Sequence, residues 1–135
     1  MQLSDSLSIA ASGMKAQGDR LRVVAENIAN ADSTGKSPNE DPYRRKLVVF
    51  KNALDKELGV STVKISDRTF DKSDFRLKYD PTHPAADEKG YVKYPNVNSI
   101  VEMMDMREAR RGYEANLNII EISKSMLTRT LDLLR

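Results

Sequence analysis

The chain has no cysteine, no tryptophan and a single histidine, and its aromatic residues amount to five tyrosines and three phenylalanines in 135 positions. Without cysteine there is no disulfide and no thiolate chemistry, although the redox compartment is left open. Neither sign of charge dominates: 22 basic residues face 20 acidic ones, for a net charge of +2. Residues 1–35 sum to −1, residues 36–98 to +3 and residues 99–135 to zero. That distribution lacks the basic excess of a nucleic-acid footprint. No apolar run approaches the roughly 18–20 residues of a membrane span, and the arms have no Lys/Arg-rich polar face for lying on a bilayer, so no membrane insertion is expected. The opening Met-Gln-Leu-Ser-Asp shows neither a basic n-region nor a continuous apolar h-region, which argues against a cleaved secretory signal.

Two apolar stripes at the ends of the chain are what remains. Leu3, Leu7, Ala10, Met14, Leu21, Val24, Ile28 and Ala31 recur every three or four positions, broken only at Gln17. Met103, Met106, Tyr113, Leu117, Ile120, Leu127, Leu131 and Leu134 repeat the pattern at the other end, broken at Arg110 and Lys124. Spacing near 3.5 keeps one seam of a helix facing a partner helix. A second stripe, Ala115, Ile119, Ile122, Met126 and Leu133, gives the C-terminal helix more apolar surface than one neighbour covers. All five prolines lie between the stripes. The expected fold is α+β: N- and C-terminal helices in a coiled-coil-like pair, with a small β-rich insert. The expected parts are an assembly helix and turn over 1–35, the insert over 36–98 and a second assembly helix over 99–135.

Local signals set the boundaries. Ser4 or Asp5 is a candidate N-cap for the first arm, which ends at Asn30 and the polar turn before Gly35. Gly13 and Gly18 inside it mark either a close backbone approach or a soft point. In the insert, Arg44–Phe50, Val63–Ile65, Phe75–Tyr79 and Tyr91–Tyr94 read as strands, and Asn52–Leu58 as one or two helical turns. Ser99 and Glu102 have capping-box spacing at the start of the second arm.

Few residues are placed for chemistry. Asp80, His83 and Asp87 match no common metal-ligand pattern and read as a turn stiffened by Pro81 and Pro84. No nucleophile stands beside a base and no glycine-rich phosphate loop occurs, so no catalytic residue, cofactor, metal or small-molecule substrate is assigned, and the chain is not read as an enzyme. Tyr43-Arg44-Arg45-Lys46 is the densest basic cluster. It suits an anionic polymer, a solvated strand start or an interface facing carboxylates.

At both ends the residues become recognisable. Ala10-Ala-Ser-Gly-Met14-Lys-Ala-Gln17, followed by Glu26-Asn-Ile-Ala-Asn30-Ala-Asp-Ser-Thr34-Gly35, resembles the N-terminal signature of bacterial flagellar axial proteins, the family of rod and hook subunits. Glu108-Ala-Arg-Arg-Gly-Tyr113-Glu-Ala-Asn116, with Lys124-Ser-Met126 and Thr130-Leu-Asp-Leu133, resembles their C-terminal signature. Pro42-Tyr-Arg-Arg-Lys46, Tyr79-Asp-Pro-Thr-His83-Pro and Gly90-Tyr-Val-Lys-Tyr-Pro-Asn-Val-Asn98 are similar to the proximal rod subunits of that family. In many axial proteins a tyrosine directly follows the glycine matching Gly35, whereas here Tyr43 comes later, after a longer loop.

The resemblance implies a structural subunit of the basal-body rod, made in the cytoplasm and passed unfolded through the flagellar type III export apparatus without a cleaved signal. Its partners would be itself and other rod subunits. Its terminal helices would line a hollow periplasm-spanning shaft used for motility, and order on docking to neighbours. The expected assembly interface is Leu7, Met14, Leu21, Asn27, Ile28 and Asn30 on the first arm, with Tyr113, Asn116, Leu117, Ile120 and Leu127 on the second. The three asparagines either bridge helices or cap backbone groups, and Asn30 reads as a cap. The alternative from pattern alone is a soluble coiled-coil adaptor or export chaperone that binds partner helices.

Overall fold

A computed structural model describes residues 3–55 and 59–134. Helix α1 spans Leu3–Ala29, strands β1 and β2 span Lys46–Asp55 and Val60–Phe70, β3 and β4 span Arg76–Tyr79 and Tyr91–Tyr94, and helix α2 spans Ser99–Leu133. The expected α+β arrangement, long helices at both ends and strands between, is the one observed. β1 pairs with β2 and β3 with β4 in separate two-stranded sheets. Only residues 56–59 separate β1 from β2, far too few for a parallel crossover, so that pair is antiparallel. β3 and β4 are also antiparallel, with Arg76 opposite Tyr94 and Tyr79 opposite Tyr91.

One local expectation fails. β1 continues through Asn52, Ala53, Leu54 and Asp55, where helical turns were expected, and residues 56–58 lie outside the described residues. Pairing with β2 overrides the helix-friendly composition there: Thr62 Oγ1 donates to Ala53 O at 3.1 Å.

The chain divides into two compact units. Unit 1 comprises Met1–Leu21, Val48–Asp67 and Arg107–Arg135, and unit 2 comprises Arg22–Leu47 and Arg68–Met106. In unit 1 the helices run antiparallel. Gly13 lies against Asn116 and Gln17 against Gly112, so partner numbers fall as those of α1 rise, and Gly18 meets Tyr113 in the same stretch. Arg20 pairs with Glu108 in the same register, at 3.5 Å. The buried residues of this unit are small: Ala10, Ala16, Thr62, Ala109 and Ser123. The Val63 N–H donates to Ser12 Oγ at 3.3 Å, holding β2 on α1. A shallow groove of about 300 Å³ lies between them, lined by Lys15, Asp19 and Lys64 among others.

Unit 2 has a conventional core of Val23, Val24, Ala31, Ala85, Val92 and Val97. The α1 stop is built as its composition suggests. Asn30 Nδ2 donates to Glu26 O at 2.9 Å, and Ser33 Oγ donates to Asn30 Oδ1 at 3.1 Å. Gly35 is needed here for closeness, not for positive φ, since a Cβ on it would collide with the carbonyl of Glu40. The N-cap of α2 is Asn98, whose Oδ1 accepts from Ile100 N at 3.0 Å. The expected Ser99–Glu102 capping box does not form, because Glu102 is buried and turned to other partners.

Candidate assembly interface

Unit 2 is organised around one amide. Asn27 Oδ1 accepts from Tyr43 Oη at 2.8 Å and from Lys46 N at 3.0 Å. Its Nδ2 donates to Lys46 O at 2.9 Å and to Glu102 Oε2 at 3.1 Å. All four hydrogen-bonding positions of the amide are filled, which is what a side chain that is 1% exposed requires. Asn27 thereby ties α1 to the start of β1 and to the first turn of α2.

Arg45 completes the network. Its Nε donates to Glu102 Oε1, and its terminal nitrogens reach Asp71 Oδ2 at 3.4 Å and Asp105 Oδ2 at 3.5 Å. Burial alone would lower the Arg45 guanidinium, but the bonds to Glu102 and Asp71 outweigh it and hold it above its ordinary value. The neighbouring cations are also occupied. Arg44 stacks 4.2 Å over the Phe75 ring and donates to Asp71 O at 2.9 Å, and Lys46 Nζ pairs with Glu26 at 2.8 Å. That bond holds the Glu26 carboxyl below its usual range and the Lys46 amine above its own. The basic cluster therefore faces carboxylates and a ring inside unit 2, and is not a free anion-binding surface. Sequence reasoning allowed an interface facing carboxylates but named none of the partners, Glu102 and Asp105 among them. Their i, i+3 spacing at the start of α2 was the available signal.

His83 serves its own loop. Its Nδ1 accepts from Ala85 N at 3.1 Å, which leaves the ring proton on Nε2, 3.4 Å from Thr34 Oγ1. Asp80 accepts from Thr82 and Asp87 from Lys89 and Tyr91, so all three side chains hold turns. Among the described residues no group of three His, Asp or Glu side chains is arranged for a metal ion.

The expected interface residues fall into two sets. Asn27 and Asn30 are spent inside unit 2, and Asn116 Nδ2 donates back to Gly112 O at 2.8 Å. Leu7, Met14, Leu21, Ile28, Tyr113 and Ile120 are half-buried. Leu117 and Leu127 are 38% and 46% exposed. In the second stripe Ile119, Ile122, Met126 and Leu133 are all exposed, as are Leu131 and Leu134. The fully buried positions of the unit 1 helices are thus alanine and serine, with glycines against Asn116, Gln17 and Tyr113, while Ile119, Ile122 and Met126 among the large apolar residues of α2 stay exposed.

Likeness to known proteins places the chain among the flagellar axial proteins. A family model for flagella basal body rod proteins matches residues 7–35, and a model for the C-terminal region of flagellar basal body rod FlgEFG proteins matches residues 88–133. Full-length relatives narrow the class. The chain is 52% identical to the flagellar basal-body rod protein FlgC of Agrobacterium fabrum, over 98% of this chain and 96% of the relative. It is 42% identical to FlgC of Escherichia coli O157:H7, over 98% of each chain, and 41% identical to FlgC of Bacillus subtilis, over 95% of each. The chain belongs to the FlgC family of flagellar basal-body rod proteins and is a structural subunit of that rod. Among the described residues no helix is long and apolar enough to cross a membrane.

Proposed function

We propose that this subunit builds the proximal rod by packing the outward apolar face of α2 and the large residues of α1 against helices of other copies and of related rod subunits. One observation carries this reading. The fully buried helix positions of unit 1 are Ala10, Ala16, Ala109 and Ser123, whereas Leu117, Ile119, Ile122, Met126, Leu127 and Leu131 stay exposed. A helix pair that keeps its small residues for itself and leaves its large apolar ones in water is built for further neighbours. Contacts of this kind, made head to tail and not closing on themselves, generate a helical shaft. Torque then passes through many small packing contacts in parallel, each buried side chain contributing about 1.5–3 kcal/mol as an upper range. The contributing residues are Leu7, Met14, Leu21, Ile28, Tyr113, Leu117, Ile120 and Leu127. Delivery as an unfolded chain by the type III export apparatus suits a sequence with no cysteine to cross-link in transit. The relatives are rod proteins by name, which favours this reading over a helix-binding adaptor or chaperone.

The test is Leu21→Asp and Ile120→Asp, each introduced into a motile strain. Both variants are expected to keep the unit 2 core folded, by circular dichroism of the purified protein, and to abolish rod assembly and swimming. Wild-type motility in both would refute the proposed surface.

A further inference from the structure

β1 is a ten-residue edge strand, Lys46–Asp55, whose only sheet neighbour among the described residues is β2. The bonds it makes fix which way its backbone points. Arg45 O accepts from Asp71 N at 2.8 Å and Ala53 O from Thr62 Oγ1 at 3.1 Å, so the odd-numbered positions turn toward β2. Lys46 turns the other way. Its N–H donates to Asn27 Oδ1 at 3.0 Å and its carbonyl accepts from Asn27 Nδ2 at 2.9 Å, the two bonds that a residue of a further strand would make. By the same alternation Val48, Phe50, Asn52 and Leu54 point their N–H and C=O away from β2. Asn27 thus fills this outer edge at its first position only. Among the described residues no hydrogen bond from another element reaches the backbone of the next four outward positions.

Native proteins blunt their open strand edges. The Val63 N–H of β2 is taken by Ser12 Oγ of α1, and β3 is four residues long with Arg76 and Lys78 on it. β1 has neither protection. From Leu47 to Leu54 it reads Leu-Val-Val-Phe-Lys-Asn-Ala-Leu, with no proline and one charge, Lys51. Such a composition favours pairing with another strand. Lys51 is exposed and makes no ion pair with a described side chain. Asn52 and Leu54 are exposed beside it.

We propose that the outer edge of β1 from Val48 to Leu54 is a strand-addition site. An extended segment of a neighbouring rod subunit pairs with it as a third strand, with apolar side chains alternating along the segment and a carboxylate opposite Lys51. Main-chain bonds supply the hold, and the side chains beside Val49, Phe50 and Lys51 select the segment. The contact joins unlike surfaces and does not close on itself, as an open shaft requires. The inference rests on the assembly reading for its neighbours, but not on the helix faces which that reading uses.

Proline substitution in the full chain tests this. Asn52→Pro removes an outward N–H, whereas Ala53→Pro removes an inward one and breaks the ladder to β2. Asn52→Pro is expected to fold, with a melting temperature within about 8 °C of wild type, and Ala53→Pro to lose far more. In a flagellated strain Asn52→Pro is expected to lose rods, counted by imaging basal bodies, while Asn52→Ala keeps them. Lys51→Glu is expected to lose rods and Lys51→Arg to keep them. On the purified wild-type chain, hydrogen exchange is expected to be faster at the Asn52 amide than at Ala53. Unfolding of Asn52→Pro, or slow exchange at Asn52, would show that the chain already occupies this edge. Normal rods from folded Asn52→Pro or from Lys51→Glu, or loss of rods in Asn52→Ala as well, would also overturn the proposal. The helix-face variants at Leu21 and Ile120 are read separately, so either reading can fail alone.

Discussion

Unit 2 buries a glutamate, and unit 1 leaves leucines in water. Glu102 is 0% exposed and held by Arg45 and Asn27, with Val92 and Val97 packed to 0% and 1%. Leu131, Leu133 and Leu134 of unit 1 are 58%, 88% and 80% exposed. In unit 2 the buried carboxylate has its guanidinium and the buried amide its four partners, so the unit satisfies its polar groups from within. In unit 1 the helix contact uses residues too small to cover the faces around it, and even there a Gln17 acceptor is left over. A region whose buried groups are satisfied by its own chain serves as a scaffold. Unit 2 exposes large apolar residues as well, Leu77 and Met104 among them, so what sets unit 1 apart is an unmatched amide beside its exposed leucines.

Removing the scaffold's charge partner tests that contrast most severely. Arg45→Met leaves Glu102 buried beside Asn27 with no cation. Breaking a buried ion pair from one side costs about 3–5 kcal/mol, a large share of the stability of a small domain. Thermal denaturation of the purified variant is expected to show a correspondingly large loss. A melting temperature equal to wild type would mean that Glu102 is not held as the geometry indicates.

This hub was the least legible part of the sequence, and the reason is physical. Periodicity and apolar runs report which faces are apolar, and they gave both helices nearly to the residue and the places of all four strands, with β1 and β2 read too short. They are silent on pairings across long sequence separations, such as Asn27 with Glu102 or Arg45 with Asp71. Glu102 was read from its local spacing to Ser99, and a partner more than fifty residues away won the carboxylate instead. The stripes misled in a second way. A 3.5 spacing shows that a seam exists but not which neighbour fills it. Within this chain Ala, Gly and Ser fill the helix contact, and much of the large apolar set is left outside. Gly13 was open between a close approach and a soft point, and its contact with Asn116 settles it as close approach.

A smaller effect separates the units by pH. The Asp71 carboxyl accepts from the backbone N–H of Ser73 at 2.9 Å, and this bond, with help from the Ser73 hydroxyl and Arg45, outweighs burial and holds it below its ordinary value. A depressed carboxylate stabilises the fold fully above its unfolded-state value, near 3.9, and that contribution is lost as pH falls through the lower folded-state value. Asp71→Asn is therefore expected to lower stability at neutral pH, by about 1 kcal/mol, and to flatten the loss on acidification below about pH 4. Glu26 and Asp80 are depressed as well, so some acid sensitivity persists. Urea midpoints measured from neutral to acid pH check this. A variant with the wild-type slope below pH 4 would contradict the assignment.

The smallest change in chain stability is expected where the proposed role in assembly is greatest. Leu117 lies in the middle of α2 at 38% exposure, and Leu127 further along at 46%. Lysine is a good helix former, and substitutions at such sites usually change stability by no more than about 0.5 kcal/mol. Leu117→Lys and Leu127→Lys should therefore melt like the wild-type chain, in contrast to Arg45→Met. In a flagellated strain the same variants should fail to build a rod, because each places an ammonium where a neighbouring helix packs and leaves it unpaired on burial. A large fall in melting temperature would show that these leucines complete the fold of their own chain. Normal rods from a stable variant would show that this face meets no neighbour. Only stability without assembly fits a surface that the chain keeps for its neighbours.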